Sequence, residues 1–64
     1  MKRFIVVDGT WAIIPVGRGY HLSPIDCQET KDNSFWYVTH AEHFKKRITE
    51  KYNFSPEYFV IKEI

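Results

Sequence analysis

The stretch "RFIVVDGTWAIIPV", residues 3–16, decides the fold. Its first half, RFIVV (3–7), is β-branched and aromatic, and so is its second, TWAIIPV (10–16). Asp8-Gly9 stands between them. Two β-prone runs separated by Asp-Gly form the strongest short-range hairpin signal, because a type I′ turn needs φ > 0 at both central positions. The reading is a hairpin with Asp8 and Gly9 at its tip. On the second strand Trp11, Ile13 and Pro15 share one face, and Ala12, Ile14 and Val16 the other. Both faces are apolar, so either the chain covers both or one is a partner surface. Pro15 has no N–H, which places it at a strand end or on an edge.

Working outward, GRG (17–19) reads as a second turn and YHLSPI (20–25) as a third strand. Tyr20 and Leu22 point one way along it, His21 and Ser23 the other, and Pro24 marks an end or edge. DCQETKDNS (26–34) is polar and reads as a loop with its tip at Lys31-Asp32-Asn33. It is long for a hairpin connection, where about 2–5 residues is usual, so it is either a plain loop or one into which the third strand extends; if it has a function, it is a protein-contact loop. FWYV (35–38) reads as a fourth strand buried on both sides. Thr39-His40-Ala41-Glu42 fits a capping box, and Ala41, Phe44, Ile48 and Tyr52 recur at the spacing of one helical face. A helix over 40–52 follows, closed by Asn53 in the left-handed conformation with Phe54 folding back toward Ile48. Ser55-Pro56 is a turn, and YFVIKEI (58–64) a last strand, although Ser55-Pro56-Glu57 also fits the start of a second helix.

The order β-β-β-β-α-β gives an α+β fold, a small antiparallel sheet with one helix across a face. An SH3-like partly open barrel is the alternative. The 64 residues make a single domain, 1–64. A core of this size rarely supplies more than about 3–5 kcal/mol unaided. Cys27 is the only cysteine, so no disulfide within the chain can help. The two Trp, four Tyr and five Phe supply the bulk instead. The net charge of +1 excludes the strongly basic composition of a general nucleic-acid binder. No apolar run approaches the roughly 18 residues of a membrane span, and Asp8 interrupts the N-terminal apolar run too early for a signal peptide. A lone thiol fits a reducing compartment, so a cytoplasmic protein is expected, without a membrane role.

His40 and His43 lie three apart on the helix and can approach each other. Zinc needs further ligands, and His21, Cys27 or Glu42 have no fixed place near them. The spacing also departs from the i, i+4 histidines of the metalloprotease signature. Neither a metal nor another cofactor is expected. Cys27 has no evident orienting partner, and a domain this small encloses a substrate pocket only at the expense of its core; no enzymatic activity is expected. Lys45, Lys46 and Arg47 fan out at 100° per residue, but His43, Arg47 and Lys51 form one row with His40 at its edge. Arg18, Lys2 and Arg3 are candidates to extend it. That row, with one or two exposed aromatics, is the basis for a weak nucleic-acid binder, although no segment matches an RNP-type signature. The better-supported expectation is a small non-enzymatic regulatory module that docks on another protein. Trp11, Trp36 and Tyr37 are its candidate anchors and Arg47 and Lys51 its polar rim. A second copy of the chain is the other candidate to cover the apolar surplus. In brevity and aromatic content the chain is similar, in a general way, to small accessory or phage-borne inhibitors that bind a larger machine.

Overall fold

The computed structural model describes residues 2–64. Strands β1 (Phe4–Asp8), β2 (Trp11–Val16) and β3 (Gly19–Pro24) run as a meander into two helices, α1 (Gln28–Asp32) and α2 (Val38–Tyr52). A 3₁₀ turn (Pro56–Tyr58) then leads to β4 (Val60–Glu63). The sheet is antiparallel and open, in the order β3-β2-β1-β4, so it does not close into a barrel. This is the expected α+β architecture, with α2 as its main helix.

The first hairpin forms, but its turn sits one residue later than Asp-Gly suggests. Asp8 pairs with Trp11, so Gly9 and Thr10 are the central residues. Gly9 has φ 63° and Thr10 does not share the positive sign, which is the type II′ pattern. A type I′ turn centred on Asp8-Gly9 would force Asp8 left-handed; the II′ turn asks this of glycine alone. The second hairpin repeats the solution, with Val16 paired to Gly19 and Gly17 at φ 55°.

Pro15 lies near the end of β2 but not on an edge, because β2 is an inner strand. The β1–β2 pairing stops at Val6 and Ile13. Two residues further, the antiparallel alternation would make Phe4 and Pro15 a hydrogen-bonded pair, and Pro15 has no N–H to give. Phe35 takes that place: the Phe4 N–H donates to the Phe35 carbonyl at 2.8 Å, and the Phe4 carbonyl accepts the Phe35 N–H at 2.7 Å. FWYV is therefore not a strand. Phe35 bridges to Phe4, Trp36 and Tyr37 bend away, and Val38 already belongs to α2.

The helix starts two residues before the expected 40–52 span. Tyr37 is its N-cap and no side-chain hydrogen bond caps it among the described residues, so Thr39 and Glu42 lie inside the helix and the capping box does not form. At the other end Asn53 is left-handed (φ 57°, ψ 40°) and Phe54 N–H reaches back to the Thr49 carbonyl at 3.0 Å, as expected. Ala41, Phe44 and Ile48 are buried with Val6, Ile13 and Phe59, while Tyr52 stays exposed, its ring edge-on to Tyr20 at 5.0 Å. Residues 58–64 divide: Tyr58 ends the 3₁₀ turn that Pro56 opens, and only 60–63 are strand.

The 26–34 segment is not a plain loop, for it contains α1. Its pattern has no apolar period to betray it, since side-chain hydrogen bonds hold it. The fully buried Thr30 hydroxyl donates to the Pro24 carbonyl at 2.6 Å, and Cys27 Sγ sits 2.8 Å from Ser23 Oγ. Ile25, leading into this segment, packs on Ile5, Val7, Ala12 and Ile14, the sheet face away from α2. Both faces of β2 are thus covered along most of their length by the chain itself.

Candidate docking surface

The cover on the α2 face is incomplete at the hairpin end. Alternation along the strands puts Asp8, Trp11, Ile13 and Leu22 on that face, with Asp8 opposite Trp11 and Ile13 opposite Leu22. Trp11 is 49 % exposed, Leu22 47 % and Tyr58 64 %. Leu22 and Tyr58 join Asp8, Ile13, Tyr20, Phe54 and Phe59 in lining a cavity of about 230 Å³, and Trp11 neighbours that wall through its pairing with Asp8. The far wall of the cavity comes from the chain after α2. The left-handed Asn53 turns Phe54 inward, where its ring meets the edges of Tyr20 (6.1 Å between centroids) and Phe59 (5.6 Å). Asp8 is the charged member of this lining, and among the described residues it has no ion-pair partner.

A second exposed aromatic pair lies at the other end of β1. Trp36 is 50 % exposed, with the Arg3 guanidinium 3.9 Å from its ring centroid. Arg3 also donates from Nη2 to the Ser34 carbonyl at 2.6 Å. Tyr37 is exposed and packs edge-on to His40 at 5.3 Å. From there the row predicted on α2 continues: His40, His43 and Arg47 border a hollow floored by Pro15, Phe35 and Phe44, and His43, Arg47 and Lys51 border the next. Lys51 Nζ donates to the Arg18 carbonyl, which brings Arg18 to the end of this row. Lys2 instead lies by Glu63, at 3.6 Å.

The three candidate anchors are all at the surface but do not share one patch. Trp11 sits beside Asp8 and Trp36 follows the partner of Phe4, and the ends of β1 are about 14 Å apart. Arg47 and Lys51 belong with the Trp36–Tyr37 end. Leu22, Phe54 and Tyr58, which complete the Trp11 end, were not singled out from sequence. Leu22 was readable in principle, since it shares Trp11's face once the β2–β3 register is known. Tyr58 was not, because its position depends on the 3₁₀ turn.

The remaining polar groups are structural in geometry. A hydrogen bond from the Ser23 hydroxyl, helped by the backbone N–H of Thr30, favours the Cys27 thiolate and holds that thiol below its ordinary pKa. His21 Nε2 is 3.9 Å from Glu29. Among the described residues no three His, Cys, Asp or Glu side chains converge as a metal set would, and no helix is long and apolar enough to cross a membrane. No protein-family model matches the chain, and no curated protein or solved structure compared with it gives a match.

Proposed function

We propose that the protein is a non-enzymatic docking module, which binds a larger protein through the hairpin end of the α2 face and modulates it as an accessory or inhibitor. One observation supports the reading: Leu22 and Tyr58 stand exposed in the wall of an aromatic cavity that the chain leaves open, and the exposed Trp11 pairs with Asp8 of the same wall. Apolar side chains scattered singly need no explanation, but a contiguous patch around a concavity marks an interaction site. Trp and Tyr are favoured anchors because each buries a large area with few rotors. A cytoplasmic setting suits the free thiol of Cys27. The test is retention of a defined partner on immobilised protein, comparing Trp11→Ala with Trp36→Ala. Loss of the partner with Trp11→Ala, at unchanged thermal unfolding, supports the reading. Retention by Trp11→Ala with loss by Trp36→Ala moves the docking site to the other end of β1. Light scattering of the purified protein tells a partner from a second copy.

A second reading rests on the Trp36–Tyr37 end, where the exposed Tyr37 packs on His40 at the start of the row His43, Arg47 and Lys51 that ends by Arg18: weak nucleic-acid binding by stacking and phosphate contact. Anisotropy with labelled random DNA and RNA tests it. Affinity of about 10⁻⁴–10⁻⁶ M, falling steeply with salt and abolished by Arg47→Glu with Lys51→Glu, supports it. No binding at low salt removes it.

A further inference from the structure

We infer that the cavity at the hairpin end receives an arginine side chain of the partner polypeptide. The inference rests on the docking reading and gives the partner its chemistry. Four aromatic side chains, Tyr20, Phe54, Tyr58 and Phe59, stand in the wall, with Asp8 the charged residue beside them. Aromatic faces attract cations through their quadrupole, and most strongly when water is excluded. A carboxylate without an ion-pair partner, next to such rings, supplies the complementary full charge. No lysine, arginine or histidine of the chain lines the cavity among the described residues, so this charge is unmatched from within.

Size narrows the occupant. At about 230 Å³ the cavity falls below the roughly 300–1,000 Å³ of small-molecule sites and suits a single side chain. An aliphatic side chain would fill it but would leave the exposed Asp8 carboxylate at its rim without a partner in the docked complex. Arginine suits it better than lysine. Its guanidinium is planar, stacks on rings, is weakly hydrated, and meets a carboxylate with two parallel N–H donors. The chain already uses this chemistry within itself, where the Arg3 guanidinium lies 3.9 Å from the Trp36 ring centroid and donates to the Ser34 carbonyl.

The experiment is an NMR titration of the whole chain with N-acetyl-arginine methylamide. Its neutral citrulline counterpart and the lysine and leucine methylamides serve as comparisons. Arginine is expected to shift Leu22, Phe54 and Tyr58 resonances with millimolar affinity, and citrulline to bind about tenfold more weakly. Asp8→Asn should reduce arginine to the citrulline level. Should Asp8→Asn disturb the hairpin, Tyr58→Ala, on the exposed 3₁₀ turn, serves as the second variant and should weaken arginine binding while the Trp11 signals stay as in the wild type. Equal binding of leucine or citrulline overturns the inference, as does tighter binding of lysine or the absence of any shift at the cavity. If Trp11→Ala abolishes docking and Asp8→Asn leaves it intact, the docking reading stands and the arginine inference falls. If Trp11→Ala leaves docking intact, the docking reading falls whatever the titration shows.

Discussion

Trp11 and Trp36 are equally exposed, at 49 % and 50 %, yet their surroundings differ in kind. Trp36 has a guanidinium on its face and lies one residue from Phe35, whose ring rests on Phe44 at 5.4 Å. The polypeptide has supplied Trp36 with a partner of its own. Trp11 stands opposite Asp8 on a hairpin, beside a cavity whose acid has no ion-pair partner among the described residues. Exposure alone ranks the two alike; what separates them is whether a charged group of the chain already rests on the ring. On that criterion Trp36 has a share in stability, whereas among the described residues no cation packs over the Trp11 ring.

The strongest way to break this contrast is from beneath. Phe44→Ala removes the buried ring under Phe35 and the Arg47 guanidinium, which lies 5.4 Å from its centroid. It should cost about 3–5 kcal/mol, as much as a core of this size supplies, so circular dichroism should show a largely unfolded chain at room temperature. Trp11→Ala should lower partner affinity by about 2 kcal/mol or more, the mark of an interface anchor, while urea unfolding shifts by no more than ~1 kcal/mol, since only half of the side chain is buried. Arg3→Ala should act the other way round. It should cost roughly 1 kcal/mol of stability through the lost ring contact and hydrogen bond, alter Trp36 emission in a Trp11→Phe background, and leave partner binding unchanged. A loss of binding with Arg3→Ala that matches Trp11→Ala would erase the distinction. The smallest effect belongs to Thr39→Ala. With Tyr37 as N-cap, it should change the unfolding free energy by less than ~0.3 kcal/mol, where a working capping box would lose about 1 kcal/mol.

The parts of the fold legible in the sequence are those settled within a few residues. Gly9 and Gly17 announce their turns locally, and Ala41, Phe44 and Ile48 carry a helical period that packing respects. The misread parts are settled at a distance. FWYV has strand composition, but its pairing depends on Pro15 vacating the place beside Phe4. The start of α2 moved with it, so a capping box that was sound as a pattern lost its position. Segment α1 rests on Thr30 and Cys27 reaching back to Pro24 and Ser23, contacts no periodicity encodes. The candidate site mixes the two. Strand alternation assigned Trp11 to a face, but which stretch of that face α2 leaves bare depends on where the helix ends and how Phe54, Tyr58 and Phe59 return.

That return has a consequence in time. The cavity's near wall, Ile13, Tyr20 and Leu22, belongs to a meander whose hairpins close on the scale of about 1–10 μs. Its far wall arrives only when β4 finds β1, pairing Val7 with Val60 across nearly the whole chain, and such distant closures come late and are slow. Early folding forms therefore present half a cavity and hold no ligand. A docked side chain, touching both walls, should act as a latch on the last segment to arrive: amide exchange at Val60 and Lys62 should slow on binding, while that of β2 and β3 stays as it was.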